Sequence, residues 1–178
     1  RVRAGGKEAT CKVTVWKESS GGYVGSPAED SGMPTPVNGS WILNADGSWN
    51  FSSGGSIYKD TWGYIYNPYG NNGKGEAGWF RFDKEGRMLT GWFQDKDGSW
   101  YYLNAASDGS LGKMMTGWHE DPDGNGYYLN PDPETGMGRM MIGWQWIGDG
   151  PGEQYCYYFY PEAGSAGKPM GALAVSCT

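Results

Sequence analysis

The chain has 178 residues, enough for one ordinary domain or a short array of small units. Aromatics make up 16% of it and glycine contributes 32 residues, while Leu and Ile are scarce, so an aliphatic interior is excluded and a core built from rings is expected. With 14 basic against 20 acidic residues the net charge is −6 and no basic patch is visible. That balance excludes the cationic surface nucleic acid requires, and suits a cationic ligand or plain solubility.

The first fifteen residues, RVRAGGKEATCKVTV, place Val13 and Val15 in the alternation of a strand. Residues 16–39 are rich in Gly, Ser and Pro and read as a linker or irregular segment. From residue 40 the chain repeats itself. SWILNADGSWNF (40–51) has a Trp-x7-Trp spacing that returns at Trp92 and Trp100, and residues 60–89 form a related unit with a long insertion between Trp62 and Trp79. TGWFQDKDGSWYYLN from Thr90 recurs as TGWHEDPDGNGYYLN from Thr116, and more loosely from Ile142. The Gly-Trp pairs at 91–92, 117–118 and 143–144 are spaced by 26 residues, with SDGSLGKMM (107–115) and ETGMGRMM (134–141) between them. A fixed period of this kind marks a repeat architecture.

Each unit reads as a hairpin, because Asp-Gly stands between two short aromatic runs. An isolated hairpin is marginal in water, whereas stacked hairpins cover one another's faces. The expected fold is therefore all-β, a β-hairpin solenoid over residues 40–178. Alternation puts Trp100 and Tyr102 on one face of their strand, and Tyr101 and Leu103 on the other. By the same rule Tyr128 faces a groove and Tyr127 the core.

The run GWFQDKDGSWYYLN…GKMMTGW (91–118) resembles the choline-binding, or cell-wall-binding, repeats of Gram-positive surface proteins, and the resemblance covers roughly residues 40 to 173. Similar aromatic repeats occur in glucan-binding regions of streptococcal glucosyltransferases and in receptor-binding tails of clostridial toxins. The N-terminal fifteen residues resemble the last hairpin of a bacterial Ig-like group 2 domain. The chain begins without Met or a leader, and is expected to be a mature piece of a larger protein.

The resemblance implies a secreted protein of the cell wall or cell surface that attaches, without catalysis, to choline-decorated teichoic acid or another wall polysaccharide. A quaternary ammonium cannot donate a hydrogen bond and is held by the negative faces of rings. Carried over residue by residue, the family's pattern gives Trp92, Trp100 and Tyr128 as a complete triad, closed by Met114 or Met140. Trp62, Trp79 and Tyr102 form a second. Trp41 and Trp49 begin a third, in which Arg81 occupies the ring slot unless Phe80 or Phe82 substitutes. Trp118 and Tyr158 begin a fourth, with Gly126 where a Trp belongs, and Trp144 has Cys156 in that position. The same rings would also pack the solenoid, and Trp at each Gly-Trp is expected to serve either role.

No catalytic residue, cofactor or metal site is expected. His119 is the sole histidine and has no nucleophile motif near it, so an ordinary surface side chain is expected. Asp95, Asp97, Asp121, Asp123 and Asp149 fall in turns, where Asp bonds its own backbone. DPDGNG (121–126) lacks the bidentate Glu of a calcium loop, having Asp132 in that slot. Cys11, Cys156 and Cys177 do not make a metal motif, and a Cys156–Cys177 bridge stays open. No stretch has the apolar length of a membrane span, and a homodimer is neither implied nor excluded. Two other readings remain: rings that stack on sugars, with Gln94, Asn104 and Asn130 serving the hydroxyls, and a structural stalk of degenerate repeats.

Overall fold

The computed structural model describes residues 2–4, 7–9, 33–150 and 153–177. The chain divides into two compact units, one spanning Pro34–Met141 and the other combining Arg1–Met33 with Ile142–Thr178. In the latter, Val2–Ala4 (β1) pairs antiparallel with Lys7–Ala9 (β2). Cys11, Val13, Val15 and residues 16–32 of the expected linker lie outside the described residues.

The unit Pro34–Met141 is a run of antiparallel hairpins. Ser40–Leu43 (β3), Trp49–Ser53 (β4) and Ser56–Ile57 (β5) make a three-stranded sheet. Thr61–Asn67 (β6) pairs with Glu76–Phe82 (β7), Gly91–Gln94 (β8) with Trp100–Leu103 (β9), and Gly117–Glu120 (β10) with Gly126–Leu129 (β11). Residue 37, near the end of the expected linker, is tied into this unit. The Val37 N–H donates to Tyr64 O at 2.8 Å and its carbonyl accepts from Tyr66 N at 3.0 Å.

The turns close as the sequence implies. Between β8 and β9 the Gly98 N–H donates to Asp95 O at 2.9 Å, and Asp97 accepts from the Ser99 N–H at 2.9 Å and from its hydroxyl at 3.1 Å. These bonds to the ionised carboxylate hold the Asp97 pKa below its ordinary value, the Ser99 backbone bond contributing most.

Register divides the side chains by face. Trp92 stands opposite Tyr102 and Gln94 opposite Trp100, so these four share one face; Phe93, opposite Tyr101, is on the other. Within Pro34–Met141, the hairpins β3–β4, β6–β7 and β8–β9 each have a forward face, carrying Trp41, Trp62 or Trp92, that meets the rear face of the next hairpin. The packed interior is aromatic: Phe51, Phe80 and Phe82 are buried with Ile65, and Val37, Trp41, Tyr58 and Met88 pack on them. Further along, Leu103 and Leu129 are fully buried at the hairpin ends. Successive hairpins make an all-β solenoid in this unit.

In the other unit, Gly143–Gly150 (β12) pairs with Glu153–Phe159 (β13), which also pairs with Leu173–Cys177 (β14). Trp144 lies opposite Tyr158 and Trp146 opposite Cys156. The β13–β14 register sets Cys156 and Cys177 directly across from each other. Among the described residues no helix is long and apolar enough to cross a membrane.

Candidate functional site

The same ring contact is built three times along Pro34–Met141. Trp41 meets Phe80 with ring centroids 4.9 Å apart, Trp62 meets Tyr101 at 5.1 Å, and Trp92 meets Tyr127 at 4.7 Å, each edge to face with interplanar angles of 61–69°. We term these the first, second and third junctions. In each, a forward-face tryptophan meets the first ring after the hairpin's second Trp slot in the next unit. Such edge-to-face pairs add about 0.5–1.5 kcal/mol beyond the area they bury.

A methionine recurs with the same regularity. The N–H groups of Met88, Met114 and Met140 donate to the carbonyls of Trp49, Trp79 and Trp100 at 2.7, 2.8 and 2.7 Å. The backbone of each methionine is thereby fixed beside the second tryptophan of one junction. By backbone position Met140 stands beside Trp100 and Met114 beside Trp79. Room for the thioether is provided by a glycine of the following repeat. Gly112 has φ +79°, and a Cβ there would collide with the Met88 sulfur.

The triads read from sequence change in one consistent way. Tyr127, not Tyr128, is the ring that the next hairpin lays against Trp92; Tyr128 stands opposite Trp118 in its own hairpin and packs on it at 5.1 Å. Likewise Tyr101 meets Trp62, while Tyr102 lies opposite Trp92 at 5.2 Å. The physical reason is stacking by translation: a forward face meets a rear face, so the closing ring must have the opposite strand parity to the tryptophan. The division of faces expected for Trp100, Tyr101 and Tyr102 holds.

At the first junction the closing ring is Phe80, 1% exposed, so a ring stands where the sequence suggested Arg81. A cavity of about 180 Å³ opens there, lined by Trp41, Trp49, Phe80, Met88 and Tyr69, with Asn67, Ser107, Gly109 and Leu111 completing it. None of its lining residues is charged. Trp41 is anchored by its indole N–H, which donates to Tyr66 O at 3.2 Å.

Arg81 instead shares the forward face with Trp62, its cross-strand partner, and therefore belongs to the second junction. Its guanidinium is 5.3 Å from the Phe93 ring, bonds Asp60 Oδ1 at 2.6 Å, and donates to Phe82 O at 2.6 Å. Its Nε is buried without a partner. Asp60, held also by Lys96 at 2.9 Å, has its pKa lowered to about 2 by the hydrogen bonds from Arg81 and then Lys96. The insertion between Trp62 and Trp79 does not disturb the junction. It lengthens β6 and β7 outward, leaving Trp79 two residues before Arg81 as Trp100 is two before Tyr102. The Trp62 indole N–H donates to Asp95 Oδ2 at 2.8 Å.

The third junction holds a residue expected at the surface. His119 stacks on Tyr102 at 3.8 Å and 29°, and lies 5.8 Å from Trp92 and 6.3 Å from Tyr127. Burial lowers its pKa, opposed by the Asp121 carboxylate, and its Nε2 is buried without a partner. Asp121 also accepts from the Tyr127 hydroxyl at 3.0 Å; burial and then this bond push the Tyr127 pKa up to about 12. Of the remaining predicted residues, Trp118 packs on Tyr128 and Trp144 on Tyr158, each pair within its own hairpin.

Comparison with known proteins follows this geometry. Residues 74–111 match the family model of the choline-binding repeat. Among solved structures, the chain is similar to the multimodular pneumococcal cell-wall endolysin from phage Cp-1 complexed with choline, at 26% identity over 84% of this chain and 34% of that one, with a TM-score of 0.48. It is also similar to choline-binding protein F from Streptococcus pneumoniae, at 26% identity over 75% of this chain and 51% of the other, with a TM-score of 0.44. The chain thus spans only about a third to a half of these proteins. No curated protein gives a significant sequence match. Over residues 74–111 the chain is thus similar to the choline-binding repeat.

Proposed function

We propose that the three junctions are binding sites for choline-type quaternary ammonium groups, and that this chain is a non-catalytic module attaching a secreted protein to choline-bearing polymers of the cell wall, teichoic acid among them. The observation that carries the reading is the threefold recurrence of one arrangement: a tryptophan after Ser, Thr or Gly, a closing ring from the next hairpin, and a methionine whose backbone N–H bonds the second tryptophan's carbonyl. Packing alone requires rings, but not a methionine fixed at the same point each time. The uncharged lining of the first junction supports it further, because a methylated cation gains from ring faces and has no hydrogen bond to donate.

The sites are Trp41, Trp49, Phe80 and Met88; Trp62, Trp79, Tyr101 and Met114; and Trp92, Trp100, Tyr127 and Met140. One exposed cation–π contact is worth about 0.5–1 kcal/mol, so each site is weak and the module relies on several engaging one polymer.

Glycan binding is the rival reading, and the amides it would use are committed elsewhere. Asn104 donates to Asp108 and Ser110 and accepts from the Ala106 N–H. Asn130 donates to Thr135 and accepts from the Asp132 N–H. Gln94 donates to Gly98 O. Titration of tryptophan fluorescence with choline and with glucan oligomers tests the proposal. A response to millimolar choline is expected; a response to glucan with none to choline would overturn it.

A further inference from the structure

The β6–β7 hairpin is longer than those on either side, and its tip reaches the first junction. Asn67, 4% exposed, organises that tip: its Oδ1 accepts from the Tyr69 N–H at 3.0 Å, and its Nδ2 donates to Gly109 O at 2.7 Å. Gly109 lies in the connection after β9, far along the chain. Its φ is +93°, and a Cβ there would collide with the Tyr69 carbonyl oxygen. The Asn67 side chain therefore ties the tip to the connection, and the two backbones pack as closely as only a glycine permits.

The clamp holds the Tyr69 ring 5.9 Å from the Trp49 ring, where it lines the cavity with Trp41, Trp49 and Phe80. Tyr69 is 56% exposed, so it contributes little to the interior, and its ring is turned to the cavity wall instead. The shorter hairpins β8–β9 and β10–β11, with four-residue strands, have no corresponding tip.

We propose that this insertion is a specificity element: it roofs the first junction with a fourth ring and makes it a tighter, size-selective compartment for small methylated ammonium groups. The inference rests on the choline reading above and deepens it. Tyr69 is the contacting residue, and Asn67 and Gly109 position it. Four rings surround a cation more completely than three, and a roof held in place by Asn67 and Gly109 resists the displacement that a bulkier alkylammonium ion would demand of it. The third junction, whose hairpins lack such a tip, discriminates less by size.

The test is an NMR titration of the intact chain with choline and with tetraethylammonium, following the indole N–H resonances of Trp41 and Trp92 as separate reporters. Choline is expected to bind at the Trp41 reporter more tightly than at Trp92, and tetraethylammonium to lose affinity mainly at Trp41. Tyr69→Ala should weaken choline at Trp41 by about two- to fivefold, the worth of one exposed cation–π contact, and abolish the size selectivity there. Gly109→Val, which forces the clamp apart without touching a ring, should do the same. Neither substitution should move the Trp92 affinity. An unchanged Trp41 affinity in Tyr69→Ala, or equal losses at both reporters, would overturn the inference while leaving the choline reading intact. No response of any indole to choline would overturn both.

Discussion

Tyr127 gives the sharpest test of how the junctions are assembled, because two of its properties separate by substitution. Its ring meets Trp92 edge to face at 4.7 Å and is 4% exposed, while its hydroxyl donates to Asp121 at 3.0 Å. Tyr127→Phe keeps the ring and deletes a hydrogen bond to a carboxylate. The expected cost is about 1.5 kcal/mol, at the low end for bonds to charged groups because Asp121 is only half-buried. For a unit of this size that lowers the melting temperature by roughly 5–10 °C. Choline affinity at the third junction should change by less than about twofold, since the ring face remains. Tyr127→Leu removes the face as well. A largely desolvated cation–π contact is worth up to about 2 kcal/mol, so the Kd at that junction should rise by as much as about 30-fold. Tyr128→Leu should leave it nearly unchanged. Thermal melts by circular dichroism and choline titration at the Trp92 indole resonance read the two effects separately. Loss of binding at Trp92 in Tyr128→Leu but not in Tyr127→Leu, with both variants folded, would refute the opposite-parity rule.

Three further outcomes are expected. The Tyr127 pKa, raised to about 12, favours the neutral phenol, so its stabilisation is complete below pH 10 and lost as pH rises through 12; Tyr127→Phe should flatten this alkaline limb of the unfolding profile. His119 has a lowered pKa, so below about pH 6.5 the unfolded chain takes up the proton first and native stability falls as pH falls. Its neighbours are Tyr102, Trp92, Tyr127 and the Asp121 carboxylate, and an imidazolium among those rings competes with a bound cation; acid should weaken choline at Trp92 more than at Trp41, and His119→Phe should remove the difference. Asp60, with its pKa lowered to about 2, supplies stability that is complete above its ordinary value and lost as pH falls toward 2. Asp60→Asn should blunt acid unfolding there and, by leaving the Arg81 guanidinium without its carboxylate, weaken choline at Trp62.

The fold was legible because period, turn chemistry and alternation agreed. Gly-Trp at intervals of 26 and Asp-Gly between aromatic runs place β8 to β11 within a residue or two of where they lie. Alternation also separated Trp100 and Tyr102 from Tyr101 correctly. What it could not supply was the direction of stacking. Parity is a property of one strand and places Tyr127 inward, as its 4% exposure shows, whereas the ring that meets Trp92 depends on which face of the next hairpin arrives, and that ring is Tyr127 rather than Tyr128. The same dependence decides between Arg81 and its offered substitutes at the first junction, where Phe80 stands. Tyr69 and His119 were missed for another reason. Tyr69 is brought to Trp49 by an Asn67–Gly109 bond spanning 42 residues, and nothing in the repeat pattern marks that contact. His119 occupies the slot that Phe93 fills one repeat earlier, a correspondence that the aligned repeats do contain and that points inward.

The position of the bound cation bears most directly on the junctions as binding sites. In crystals of this chain grown with choline, the expected result is a quaternary nitrogen within about 6 Å of the ring centroids of Trp92, Trp100 and Tyr127, the reach of a cation–π contact, and another among Trp41, Trp49, Phe80 and Tyr69. A nitrogen seated against Tyr128 instead of Tyr127, or junctions left without choline at saturating concentration while the hairpins stack as described, would contradict it.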